Sequence, residues 1–310
     1  MRRWKGYALV LLAAVLWGSL GIVGRRLYAG GLSPEVAVTY RSLGTAVFLG
    51  AYLGLVRPAL LAVRSRDLPF LALYGLVSVG LYNLLYFTAI RLIPVATAAV
   101  LLYTAPLFVA ILGRVLFDEP LTPAKWVLLL VTLVGTALAA GAYDLTQVRL
   151  NATGLLAGLG AGFTYGLYSI FGKYGLGRYS PWTLVLYTQI AGTAVVAPLA
   201  GAAALAAPLR RPDLWPALAY MILGPTLFAY AAYLGGLREI ESSHASITAT
   251  VEPVVAAILG AAVLGEVLAW PQVLGIALVL GGVALLQVRT SGGPPPGTPS
   301  AVRRAAGSPL

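Results

Sequence analysis

Apolar residues along this chain fall into blocks of about 20, and most charged residues sit in the short stretches between them. A helix rising 1.5 Å per residue needs roughly that length to cross about 30 Å of hydrocarbon. The pattern predicts ten membrane-crossing helices, over 6–27, 33–56, 68–91, 94–117, 122–141, 152–174, 181–204, 213–236, 242–265 and 270–288. The fold class is therefore an all-α polytopic membrane protein. The first block follows Arg2, Arg3 and Lys5 as a signal peptide would, but it is too long and lacks a small-residue cleavage site. It reads as the first transmembrane helix. After the last block, residues 290–310 carry Gly, Pro and Arg without an apolar face and are expected to be disordered.

Composition narrows the functional classes. Of 310 residues 59% are hydrophobic and 10% charged, with a mean hydropathy of +0.87. Cys is absent and His occurs once, which leaves no thiolate metal site, no Cys nucleophile and no disulfide framework. Neither a metal nor a cofactor is expected. The net charge of +11 is scattered through the connections instead of forming one basic face, so nucleic acid is not an expected partner. Of the 21 Lys and Arg residues, 14 fall on the side of the N-terminus, 6 on the other, and Arg41 lies within a helix. Cytoplasmic connections retain basic residues, so both termini are expected in the cytoplasm.

An internal repeat is the most informative feature. At an offset of 147 residues Tyr86 falls on Tyr233, Arg91 on Arg238, Pro106 on Pro253, Gly113 on Gly260 and Glu119 on Glu266. With one further residue of shift, Gly18 meets Gly166 and Gly24 meets Gly172. This divides the chain into a first five-helix repeat over 1–146 and a second over 147–289. An odd number of helices per repeat places the second half upside down relative to the first. Inverted halves around a midplane site are the physical basis of alternating access in secondary transporters.

Leu16-Trp17-Gly18, Ser33-Pro34 with Tyr40-Arg41, Pro106 with Gly113 and Asp118-Glu119, and Glu252-Pro253 with Leu264-Gly265-Glu266 occur in an order that resembles the EamA-type, ten-helix branch of the drug/metabolite transporter superfamily. The resemblance runs from about residue 6 to residue 288. It implies a bacterial inner-membrane transporter, usually an exporter of amino acids or related metabolites, with a cavity between the halves. Phe117-Asp118-Glu119 departs from the usual Leu-Gly-Glu of the first repeat.

Polar residues within the spans are costly there, and so locate candidate chemistry. Arg41 is either a fixed positive charge for a substrate carboxylate or phosphate, or a structural arginine satisfying backbone carbonyls. Glu252 precedes Pro253, which breaks the helix, so it is a candidate ammonium ligand or proton carrier, or else a brace for the kink. His244 is a second candidate for proton movement, though its place at a helix end favours a solvated or capping role. Glu119 and Glu266 end helices at opposite faces and read as structural, in positions that would suit a gate. Trp17, Tyr82, Asn83, Tyr86, Tyr103, Tyr187, Gln189 and Tyr230 are expected to line a cavity, with Tyr40 and Arg41 added from the second helix. Gly154, Gly158, Gly162 and Gly166, four apart, mark close helix packing and not a nucleotide loop.

The rival classes are weaker. An intramembrane hydrolase would have to pair Ser19 with His244, without an orienting partner in view. A channel would need a charged ring or a filter loop, and none is visible. No Gly-Lys-Ser/Thr phosphate loop exists, so transport is expected to be facilitated, exchanged or ion-coupled. The expected function is export of a small metabolite, foremost an amino acid, by a non-enzyme, monomeric protein in the cytoplasmic membrane. Nucleosides, sugar phosphates and drugs are the alternative cargo.

Overall fold

The computed structural model describes residues 2–143 and 151–290. The repeat junction at 147, Arg149 and the tail from residue 291 onward lie outside the described residues. Every described element is helical. Among the described residues nine helices are long and apolar enough to cross a membrane: α1 Arg3–Ala29, α2 Pro34–Val56, α3 Ser65–Leu92, α4 Val95–Phe117, α6 Ala152–Gly175, α7 Pro181–Ala200, α8 Pro212–Leu237, α9 Ser242–Leu264 and α10 Trp270–Val288. Between α4 and α6 lies α5, Pro123–Ala139, also apolar but only 17 residues long. That is the lower limit of a spanning helix. The chain is a multi-pass membrane protein.

Helix starts follow from local chemistry that recurs in both halves. Ser33 and Ser180 each precede a proline at the first helical position and accept a hydrogen bond from the backbone N–H three residues on, Val36 and Thr183. Thr122 before Pro123 does the same for Lys125. Proline loses nothing there, because the first amides of a helix have no intrahelical partner. Helix ends recur too. Asp118 and Gly265, equivalent at the 147-residue offset, both take left-handed backbone angles, φ 57° and φ 71°. The turn needs a left-handed residue, so Asp118 performs the role of the glycine it replaces.

Several spans are interrupted part-way along their length. α1 breaks at Ser19, α4 at Tyr103 and Thr104, and α9 at Thr250, the last two at equivalent positions three residues ahead of Pro106 and Pro253. Thr104 and Thr250 donate their hydroxyls to the carbonyls of Leu101 and Ile247, three residues back. α3 and α8 instead contain a π-helical stretch, Leu76–Leu81 and Ile222–Phe228, again at matching places. Such stretches are rare and insert one residue into the helical register. Small residues set the closest approaches. A Cβ on Gly162 would stand 2.5 Å from the Leu101 carbonyl oxygen, and one on Gly275 the same distance from that of Gly135, so α6 meets α4 and α10 meets α5 backbone to backbone.

Candidate functional site

The breaks of α4 and α9, at Tyr103 and Thr250, face one cavity. It is lined by Trp17 of α1, Tyr103 and Pro106 of α4, Tyr165, Tyr168 and Ser169 of α6, Tyr230 and Tyr233 of α8, and Ser246, Ala249 and Thr250 of α9. Ring centroids 5.0 to 5.3 Å apart link Trp17 to Tyr230 and Tyr233, Tyr230 to Tyr168, and Tyr82 to Tyr165; Tyr86 stacks on Tyr82 at 6.2 Å. These are favourable separations for aromatic pairs. The walls are rigid, since the rings brace one another and Tyr233 shares a 2.6 Å hydrogen bond with Ser169.

Two opposite charges lie against the tyrosines of this cavity and form no ion pair with each other. Glu252 lies beside the α9 break, with the Tyr165 hydroxyl donating to its carboxylate at 3.4 Å and Tyr103 also in polar contact. Arg41 is 7% exposed and touches the Tyr230 hydroxyl, and its charge is felt at Tyr82 and Glu252. Among the described residues no carboxylate comes within ion-pair distance of Arg41, and its Nε has no hydrogen-bond partner. The indole N–H of Trp17 is buried and likewise unpaired. Buried polar groups are nearly always satisfied, so these two atoms are open to a partner from a ligand or a water.

Of the residues singled out in the sequence, Trp17, Tyr103 and Tyr230 line the cavity, while Glu252, Arg41 and Tyr82 contact its wall tyrosines and Tyr86 stacks behind on Tyr82. Others sit elsewhere. Asn83 donates to the Val79 carbonyl at 2.7 Å, inside the π-helical stretch of α3. Tyr40 donates to the Leu205 carbonyl and meets the edge of Trp215. Tyr187 reaches the Leu61 carbonyl, and Gln189 is fully buried in α7. Tyr165, Tyr168 and Tyr233 line the cavity in addition to the residues expected from the sequence. Tyr165 aligns with Trp17 at the shifted offset and Tyr233 with Tyr86, which was the available signal.

Polar contacts from Glu119, Lys125 and Lys173 tie together the ends of α4 and α8 and the start of α9. Glu119 accepts four hydrogen bonds, from the backbone N–H and the hydroxyl of both Ser242 and Ser243, at 2.6 to 3.1 Å. Lys125 pairs with Glu241 at 2.7 Å, and Lys173 donates to the carbonyls of Leu237 and Ile240. The solvated position expected of His244 is not observed. It is 8% exposed, its Nδ1 is 3.1 Å from the Tyr7 hydroxyl and its Nε2 is 3.4 Å from Glu241, because α1 and α5 close over the start of α9. Ser19 bonds instead to Leu16 and Tyr220, so the hydrolase pair is not assembled. Outside the spans, burial and the hydrogen bond it donates to Asp67 raise the Tyr179 hydroxyl above the usual phenol range.

The profile of the EamA-like transporter family matches twice, over residues 4–141 and 152–288. Among similar proteins, an uncharacterized transporter of Archaeoglobus fulgidus is 27% identical over 90% of this chain and 95% of its own length. The uncharacterized transporter YdfC of Bacillus subtilis is 27% identical over 89% of each. A probable terminal-alkyne amino-acid exporter of Streptantibioticus cattleyicolor is 27% identical over 94% of this chain and 96% of its own. A solved crystal structure superimposes with a TM-score of 0.75 at 21% identity, covering 93% of this chain and 99% of that one, a likeness of fold. With the family profile spanning nearly every helix that builds the cavity, the chain belongs to the EamA-like transporter family and is a membrane transporter, not an enzyme.

Proposed function

We propose that this protein exports small metabolites, foremost amino acids, across the cytoplasmic membrane, as a monomer, by alternating access between two inverted halves, 1–146 and 147–289. The observation that carries the reading is the separated charge pair in the aromatic cavity: Arg41 without a carboxylate partner, and Glu252 held by tyrosine hydroxyls instead of a cation. A zwitterion supplies both missing partners, its carboxylate to the Arg41 guanidinium and its ammonium to Glu252, and the rings pack on the side chain. The resemblance to an amino-acid exporter supports the same class. Counterflow in proteoliposomes against a panel of amino acids tests it. Saturable uptake of at least one is expected; failure of all of them, with uptake of a nucleoside, sugar phosphate or lipophilic drug, overturns the amino-acid assignment.

Orientation is proposed from the charge bias, with both termini inside. Ala29→Cys, at the end of α1, should react with an impermeant maleimide added to intact cells, whereas Arg64→Cys should react only in inside-out vesicles. The native chain has no cysteine to confuse the signal. The reverse pattern would invert the topology.

A further inference from the structure

The ends of α4 and α9 are built from equivalent residues in unequal states. Glu119 and Glu266 each follow a left-handed residue and lie back across the glycine six positions earlier, Gly113 or Gly260. Glu119 is 6% exposed and holds the amides and hydroxyls at the start of α9. Its counterpart Glu266 has a side chain 44% exposed. At the 147-residue offset the counterparts of Ser242 and Ser243 are Val95 and Ala96, at the start of α4. That helix start has no side-chain cap, and Val95 is 61% exposed where Ser242 is fully buried. The first amides of a helix need an acceptor. Lys173 and Arg25 are likewise counterparts, at the shifted offset. Lys173 holds the carbonyls of Leu237 and Ile240 at the end of α8, while Arg25 is ion-paired with Glu266.

We propose that the exposed Arg25–Glu266 pair is an outer latch in its parked state, a reading that rests on alternating access. When the outer end closes, the pair separates. Glu266 accepts from the amides of Val95 and Ala96, and Arg25 donates to the carbonyls of Ile90 and Ile93, while Glu119 and Lys173 release α9 and α8. The two latches are unequal in strength, because Val95 and Ala96 lack the hydroxyls with which Ser242 and Ser243 double the bonds to Glu119. The inequality biases the resting protein toward the state with the outer end open.

Two reporters on equivalent positions read the balance: Tyr28→Cys, 45% exposed here, labelled from outside, and Leu176→Cys, 6% exposed here, labelled from the cytoplasmic side of inside-out vesicles. Restoring the missing hydroxyls with Val95→Ser and Ala96→Ser together should slow labelling of the first and speed labelling of the second, changing their ratio roughly tenfold or more, as hydrogen bonds to a charged acceptor warrant. Glu266→Gln should shift the ratio the other way, and Glu119→Gln should speed labelling at Leu176→Cys. If both reporters are labelled and neither Glu266→Gln nor the double serine variant moves the ratio, the latch is overturned and alternating access stands. If Leu176→Cys is never labelled from the cytoplasmic side, even with Glu119→Gln, alternating access fails and the latch with it.

Discussion

Arg41→Leu should abolish amino-acid counterflow while leaving a folded, monodisperse protein. The guanidinium is buried, lacks a carboxylate partner and hydrogen-bonds the Tyr230 hydroxyl. Removing one member of a buried, hydrogen-bonded charge pair costs roughly 2–5 kcal/mol, so the bound substrate carboxylate should lose on the order of 100-fold or more in apparent affinity. Arg41→Lys keeps the charge but not the planar fork, and should recover only part of the loss. Glu252→Gln separates two roles for the second charge. As ammonium ligand and proton carrier, Glu252 predicts that its amide variant still exchanges substrate weakly but no longer accelerates under a pH gradient. Full retention of the pH response would return Glu252 to a bracing role at the α9 break. Unchanged counterflow in Arg41→Leu would remove the charge-pair site altogether.

Gly75→Leu should be the most damaging single change to folding. A Cβ at Gly75 would stand 2.4 Å from the Thr188 carbonyl oxygen and 2.7 Å from the Ala191 Cβ, so α3 and α7 touch through backbone. The reciprocal contact is equally tight: a Cβ on Gly192 would come 2.5 Å from Val79. Overpacking a well-filled core costs roughly 1–3 kcal/mol, and more where the obstacle is backbone that can move only with its whole helix. The expected result is a large fall in melting temperature, or loss of the monodisperse peak in detergent. Gly281→Leu is the control, because nothing lies within 4 Å of a Cβ there, and it should melt with the wild type. Equal melting of both variants would mean that α3 and α7 do not approach in this way.

Ten apolar runs were legible because spanning a bilayer is a demand on length and polarity that each segment meets alone. The five-helix halves were legible for a related reason: Tyr, Arg, Pro and Glu at a constant offset are too specific for chance in Ala- and Leu-rich helices. Pro253 located the α9 break, since a missing N–H and a clashing ring act locally. Even Asp118, an apparent departure, fills the left-handed position its glycine counterpart occupies.

What only the tertiary structure decided is the direction in which side chains point. The π-helical stretches of α3 and α8 add a residue ahead of Tyr82 and Tyr230, so the azimuth of those tyrosines cannot be counted from a 3.6-residue period. Tyr40 and Tyr187, equivalent in sequence, instead reach carbonyls of neighbouring segments at Leu205 and Leu61, a choice made by which backbone oxygens those segments leave unbonded. Glu119 and Glu266 make the same point most sharply. Their local sequences are nearly alike, yet one is buried among four donors and the other faces solvent beside Arg25, because their partners belong to other helices whose distance is set by the packing of the whole protein.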